Sequence, residues 1–558
     1  MAPVTSFIHV SLNSSSIHQS QLNIQSKQLT EAAYCESLKR DHNRFTNTQS
    51  ALLNAWLKAK TNHYLTAAQK WGLKYPAHHE SESGELDYNR IKFDSAVARR
   101  SGLQLSEFVR LWRGQTDEDG RPNKSLYELP LPTDPHMREF VLLWNDVVKH
   151  GVQPQWTPAK PVRQAVWPRN HSSVQAHLHQ IRRHVQNGHR QGRYLIVDED
   201  LCPQWPEIFV SPIGVVDKSG GTDMRLINDY SYPDGASVND FTDQEVLPPI
   251  SYNLPADIAR RLHHLRARYP NSVILMKVGD VAGAFRHVPV HENHVHMFVF
   301  VLDNHLVIDL SCGFGWSGSP AYYALAGRQI HSLYGSRAPH QKFSKLDKSR
   351  FGPNTWCDDH TCAEVDTGSR CFEANLALRH AMATVLGPEA VNEDKFTNWS
   401  TNTKSLGLLW NTTRNTVSIP QEKIAQARAR ILGVYTVKRL QLRLYTNSRR
   451  FEMVFGRTDA RTSFELNSSG GIRSYFYAIH FRDMDASDTG LCALAPQSKQ
   501  YLRLKFDEET RNQFSASKTD NSINARELLS AVLAALHWGP TWGEAYQQQR
   551  VHVRFAHR

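Results

Sequence analysis

Residues 276–285 read MKVGDVAGAF, and residues 355–361 read TWCDDHT. The first closes the run SVILMKVGD, which is too apolar for a surface strand and ends in Asp280, so it predicts a buried strand with an acid at its tip. The second sets Asp358 and Asp359 between Trp356 and His360, a short strand pair about a tight hairpin. Two such strand ends side by side gather three carboxylates. A cluster of that kind repels itself unless cations bridge it. Two Mg2+ ions, with Mn2+ as a substitute, suit an all-oxygen set and suit phosphoryl transfer: one activates an attacking 3′-hydroxyl, the other steadies the leaving pyrophosphate. Adjacent acids are common by chance, so the two strand ends carry the reading rather than the pair.

Outward from these acids the texture is of short strands and a few helices. EIFVSPIGVVDK (207–218) and TDMRLINDYS (222–231) flank a Gly-Gly turn, and HMFVFVLDNHLVIDL (296–310) is two apolar runs around Asp303-Asn304, a hairpin signal. GSPAYYALAGRQIHSLY (318–334) predicts a helix with Ser319 as cap and Pro320 at its first position. QEKIAQARARILG (421–433) is helical in pattern. Past residue 470, YFYAIHFRDMD, GLCALAP and YLRLKFD predict three consecutive strands, followed by the helix INARELLSAVLAALHWG and a last strand VHVRF.

Upstream, residues 1–30 are rich in Ser, Gln and Asn and predict a disordered tail. ALLNAWLKAKTNHYLTAAQKWGL (51–73), SGLQLSEFVRLW (101–112) and PHMREFVLLWNDVVKHG (135–151) carry helical spacing. Residues 152–170, with four prolines, predict extended chain. HSSVQAHLHQIRRHVQNGHRQGR (171–193) has five histidines whose spacing fits no common zinc pattern, so a solvated basic helix near nucleic acid is expected.

Composition bounds the rest. Over 558 residues, 40% hydrophobic content excludes a wholly disordered chain. No apolar run approaches the roughly 18 residues a membrane span needs, so no membrane partner is expected. Seven cysteines, odd and sparse, predict reduced thiols, and the start of the chain reads as neither secretory signal nor transit peptide. The expected location is intracellular, in cytoplasm, nucleus or both. Lys+Arg of 65 against Asp+Glu of 54 gives +11, which points to a polyanionic partner.

The order of motifs resembles one family. MKVGDVAGAF, CGFGWSGSPAYYALAG (312–327), TWCDDHT, NEDKF (392–396) and SLGLLW (405–410) follow one another as the palm motifs of reverse transcriptases do, and VVDKSGGTDMRLINDYS (215–231) resembles the fingers hairpin of that family. RLINDYSYPDGASVND and the later DASDTGLCAL look most like the polymerase of DIRS-type retrotransposons, the tyrosine-recombinase class. The end of the chain resembles a truncated ribonuclease H. The resemblance implies an α+β fold: a right-hand polymerase of fingers, palm and thumb, with a helical N-terminal region and a partial ribonuclease H-like α/β C-terminal domain. It implies a tail at 1–30, the helical region at 31–150, a linker and basic helix at 151–194, fingers and palm at 195–415, thumb and connection at 416–478, and the ribonuclease H-like part at 479–558.

By the same resemblance Asp280, Asp358 and Asp359 hold the metals, and Lys395 is the general acid toward pyrophosphate. Phe285 lies under the sugar and excludes a 2′-hydroxyl. Lys218 and Arg225 grip the incoming triphosphate, Gly315, Ser319 and Pro320 support template and nucleotide, and Leu406-Gly407 is the primer-grip turn. Asp485 and Glu527 match the first two ribonuclease H acids; Ala556 stands where the third is expected, which implies that this activity is lost. Trp356-Cys357 departs from the family's Tyr-X pair. Taken singly, Lys218 and Arg225 read as exposed hairpin charges, Phe285 as core and Lys395 as a surface lysine. Only the shared order lifts them. The implied function is an RNA-directed DNA polymerase of a retrotransposon that uses an RNA template, a DNA primer and dNTPs, alongside other element-encoded proteins. The alternative is an inactive remnant, or a nucleic-acid-binding protein that keeps the fold.

Overall fold

The computed structural model describes residues 30–75, 85–217, 224–344 and 346–426, with 443–446, 479–481, 485–487, 490–495, 500–505, 508 and 553–555. Four helices come first: α1 (Glu31–Lys70), α2 (Tyr88–Ser101), α3 (Leu105–Arg113) and α4 (Pro135–His150). Local chemistry sets their ends. Thr30 caps α1 by accepting the Ala33 N–H, and α4 has Asp134 as cap, Pro135 in its first turn and Gly151 just past its end. Tyr64, Val97, Phe108, Trp112 and Trp144 from these helices share one core with Trp205, Val281, Phe285, Phe298 and Trp316. The expected tail lies outside the described residues except for Thr30.

The basic segment differs from its expectation. It forms a one-turn helix at Ser173–Ala176 and α5 (Leu178–Arg190), and α5 is solvated on one face only: Arg183, His184, Asn187 and Arg190 are exposed, whereas Ile181, Val185, Gln186, Gly188 and His189 are buried. The charges of this stretch hide an apolar face, with Ile181 and Val185 one turn apart, which packs toward the sheet that follows. Arg182 is held by Asp303 at 2.6 Å.

Three small sheets are built into this part of the chain. β1 (Tyr194–Asp198), β5 (Val299–Leu302) and β6 (His305–Asp309) form an antiparallel sheet in the order β1-β6-β5. The β5–β6 turn is Asp303-Asn304, both left-handed, as the sequence predicts. β2 (Ile213–Asp217) and β3 (Met224–Asn228) form the expected antiparallel hairpin. After α6 (Pro255–Arg268) come β4 (Ile274–Asp280), α7 (Gly318–Ser336), β7 (Thr355–Trp356), β8 (Asp359–Val365) and α8 (Arg370–Leu386), with the sheet order β4-β8-β7. Helix α7 begins at Gly318 behind Ser317, so Ser319 is not its cap: the Ser319 hydroxyl turns back and donates to the Gly313 carbonyl at 2.6 Å.

The chain divides into two compact units. The first is Met1–Leu406 with Trp410–Arg414, the second Gly407–Leu409 with Asn415–Arg558. In the second, Arg443–Thr446, Gln500–Lys505, Gly490–Ala495 and Asp485–Ser487 form a four-stranded sheet in that order, and Ile479–Phe481 pairs in parallel with Val553–Phe555. Of the first strand expected past 470, residues 479–481 and 485 lie in strands and the others lie outside the described residues, and the expected thumb and connection region includes the strand Arg443–Thr446. Residues 421–426 are helical, within the helix predicted there. Among the described residues no helix is long and apolar enough to cross a membrane.

Candidate active site

Strand β4 is buried along its length, and antiparallel pairing with β8 sets Asp280 directly opposite Asp359. Trp356 also pairs with Asp359, which leaves Cys357 and Asp358 as the two residues of the β7–β8 turn. The three acids expected from the sequence therefore come together. Asp280 is only 3% exposed, and Asp358 and Asp359 are half-buried. Burial first, and then the charges of Asp358 and Asp280, push the Asp359 carboxyl up to about 6. Burial, with Asp280 behind it, also raises Asp358.

Lys395 reaches the same cluster. It closes the one-turn 3-10 helix Glu393–Lys395, and its ammonium sits 3.1 Å from Asp280 Oδ2 and 3.3 Å from Oδ1. Asn392 donates its amide to Asp280 Oδ2 at 2.7 Å. Sequence reasoning passed over Asn392, although it opens the quoted NEDKF three positions before Lys395. It also missed Tyr252, whose ring lies 5.4 Å from that of Trp356 and whose hydroxyl faces Cys357; no local signal marks it. Burial, and then the Asp358 charge, pushes the Cys357 thiol up to about 11, which disfavours the thiolate in this turn.

The donor chemistry fits divalent cations in kind: three carboxylates and no sulfur, with burial and neighbouring charge raising the proton affinity of Asp358 and Asp359. Among the described residues, however, no three His, Cys, Asp or Glu groups already enclose a cation position, and the Lys395 ammonium stands on Asp280. The cysteines Cys357, Cys362 and Cys371 are all free, the last two buried.

Around the acids, Phe285 sits in the 3-10 turn that follows β4, 5.0 Å from the Phe314 ring and 5.6 Å from that of Tyr323. Gly315 has φ +105, and a Cβ there would lie 2.3 Å from the Asn228 carbonyl oxygen. Only glycine lets this loop close on the end of β3, and the Asn239 amide pins it by donating to the Gly315 carbonyl at 2.9 Å. Arg225 is exposed on β3 opposite Val216 of β2, and Lys218 lies outside the described residues. Leu406 and Gly407 are both left-handed, φ 49 and 73, as a two-residue turn requires.

No protein-family model and no curated protein matches the chain. Among solved structures it is similar to the foamy viral protease-reverse transcriptase dRH in complex with double-stranded DNA, at 12% identity and TM-score 0.35 over 76% of this chain and 72% of that one. It is likewise similar to the foamy viral protease-reverse transcriptase in complex with double-stranded DNA, at 12% identity and TM-score 0.34 over 78% of this chain and 98% of that one. All these overlaps are coarse.

In the second unit, Asp485 opens a short strand opposite Cys492. Glu527 lies outside the described residues, so the two acids of the ribonuclease H resemblance are not brought together among them.

Proposed function

We propose that the chain is an RNA-directed DNA polymerase of a retrotransposon, of the DIRS type, extending a DNA primer on an RNA template with dNTPs inside the cell. The observation that carries this is the register of β4 on β8, which gathers Asp280, Asp358 and Asp359 at one end of a buried sheet. Asp280, Asp358 and Asp359 would hold two Mg2+ ions, or Mn2+ in their place, and these supply the Lewis acidity for attack of the primer 3′-hydroxyl and departure of pyrophosphate. The protein's own groups do the rest. The Phe285 ring, stiffened by Phe314 and Tyr323, bars a 2′-hydroxyl. Arg225 of β3, together with Lys218 seven positions earlier in the chain, grips the triphosphate. Lys395, exposed and flexible, leaves Asp280 and passes a proton to pyrophosphate. The parallel pairing of Ile479–Phe481 with Val553–Phe555 supports a ribonuclease H-like second unit; with Ala556 at the expected third acid, it is inactive.

Primer extension on poly(rA)–oligo(dT) with Mg2+ tests the reading. Extension that Asp358→Asn abolishes is expected; equal extension by wild type and variant, or none by either, would sink it. One observation favours a second reading, a nucleic-acid-binding protein that keeps the fold: Lys395 already neutralises Asp280. That reading predicts hybrid binding by a chain that extends no primer.

A further inference from the structure

Segment 390–400 runs antiparallel along the edge of β4. The Ala282 N–H donates to the Ala390 carbonyl at 2.8 Å, the Asn392 N–H to the Asp280 carbonyl at 3.1 Å and the Thr397 N–H to the Val278 carbonyl at 3.0 Å, while Met276 and Ser400 exchange both backbone bonds. Between these anchors the chain makes one tight turn, with the N–H groups of Lys395 and Phe396 on the Asn392 carbonyl at 3.1 and 3.2 Å. Gly279 provides the seat, since a Cβ there would stand 2.7 Å from the Phe396 ring and 2.9 Å from Leu378. Backbone bonds on both sides therefore place Asn392 beside Asp280 whatever its side chain does.

The two donors on Asp280 differ in kind. Lys395 is 64% exposed at the end of a long flexible chain, and its positive charge competes with any cation drawn to the carboxylate. Asn392 is half-buried and neutral, and it holds one oxygen, Oδ2, at 2.7 Å. A carboxylate rotates in a broad torsional well, so a donor on one oxygen selects its plane. A neutral donor does so without repelling a divalent cation. We infer that Asn392 is the positioning residue of Asp280: it holds the plane of the carboxylate and keeps it held when Lys395 departs. This inference rests on the polymerase reading of the site.

The test uses the full-length chain and two readouts. Mn2+ binding is followed by the electron paramagnetic resonance of free Mn2+, without primer or nucleotide, and steady-state extension on poly(rA)–oligo(dT) is followed in parallel. Partners that orient metal-binding groups contribute roughly 10–100-fold, so Asn392→Ala is expected to weaken Mn2+ binding and lower kcat by about tenfold each, with the KM for dNTP within about twofold. Asn392→Asp adds a carboxylate beside Asp280; it is expected to bind Mn2+ at least as tightly as wild type while kcat falls at least as far. A loosened loop would not move binding and turnover in opposite directions. Asn392→Leu, which keeps volume without a donor, covers the case in which Ala lowers the melting temperature, and it should lose binding as Ala does. Wild-type Mn2+ affinity and kcat in Asn392→Ala or Asn392→Leu, with Asp280→Asn losing both, would overturn the role of Asn392 and leave the polymerase reading standing. Wild-type behaviour of Asp280→Asn, or a wild-type chain that neither binds Mn2+ nor extends, would overturn both.

Discussion

Two hairpins of the first unit share a topology and differ in what their turns contain. The β5–β6 turn is Asp303-Asn304, φ 51 and 59, built from residue types that tolerate left-handed backbone, and Arg182 holds Asp303 at 2.6 Å. The β7–β8 turn is Cys357-Asp358, with Cys357 at φ 52, where a thiol-bearing residue has no such tolerance. Its acids crowd one another instead of meeting an arginine, and Asp359 is pushed up to about 6. The first hairpin is locally relaxed. The second holds strain and like charge that its surroundings must contain, with the Trp356 ring against Tyr252 and β8 locked on β4. In this unit, local conflict accumulates where the chemistry is proposed.

The widest gap between the hairpins should be in rate. Asp358→Asn is expected to lower single-turnover extension by more than about 100-fold, the scale of removing one oriented stabilising group, while Asn304→Asp in the other turn leaves the rate as it was. Equal effects at the two turns would end the contrast. Next comes the Phe285 ring, in the turn that follows β4. Phe285→Ala is expected to raise the ratio of rNTP to dNTP incorporation by about tenfold or more, the scale of steric discrimination in a shaped pocket. An unchanged ratio would make Phe285 ordinary core.

Stability sharpens the comparison, with opposite signs. Cys357→Gly relieves a left-handed strain and should stabilise by up to about 1 kcal/mol, whereas Asn304→Ala creates one and should cost a similar amount. Denaturant midpoints of the two variants, read against wild type, check this; shifts of the same sign would remove strain from the account.

The smallest effect is a pH slope. His287 is buried in the 3-10 turn that follows β4, with its Nε2 2.8 Å from the Ala282 carbonyl, and burial lowers its pKa to about 4. Between about 6.5 and 4 the unfolded chain takes up a proton that the folded chain refuses, so stability falls as pH drops through that window. Melting temperatures at pH 7.5 and 5 should differ less in His287→Gln than in wild type. An equal difference would show that His287 does not contribute.

Much of this was legible locally. Buried strands ending in Asp280 and opening at Asp359, the Asp303-Asn304 turn and the Pro135 start and Gly151 stop of α4 all follow from patterns within a few residues. Helix α5 departs from expectation on one face only, because the many charges of the stretch mask the Ile181–Val185 pattern that buries it. The N-cap position is Ser317, two residues before the expected Ser319, whose hydroxyl donates to the Gly313 carbonyl ahead of the helix.

By itself the sequence determined which strands end in acids and which turns are tight, because strand pattern and turn chemistry act over neighbouring residues. Only the tertiary structure decided that Asn392 and Lys395 share Asp280, 112 and 115 positions away in the chain. It likewise decided that Gly315 abuts the carbonyl of Asn228 and that Tyr252 faces the Cys357-Asp358 turn. Such partners are chosen by which strand edges pair, as when segment 390–400 lies along β4, and edge pairing is a property of the packed whole that no local pattern encodes.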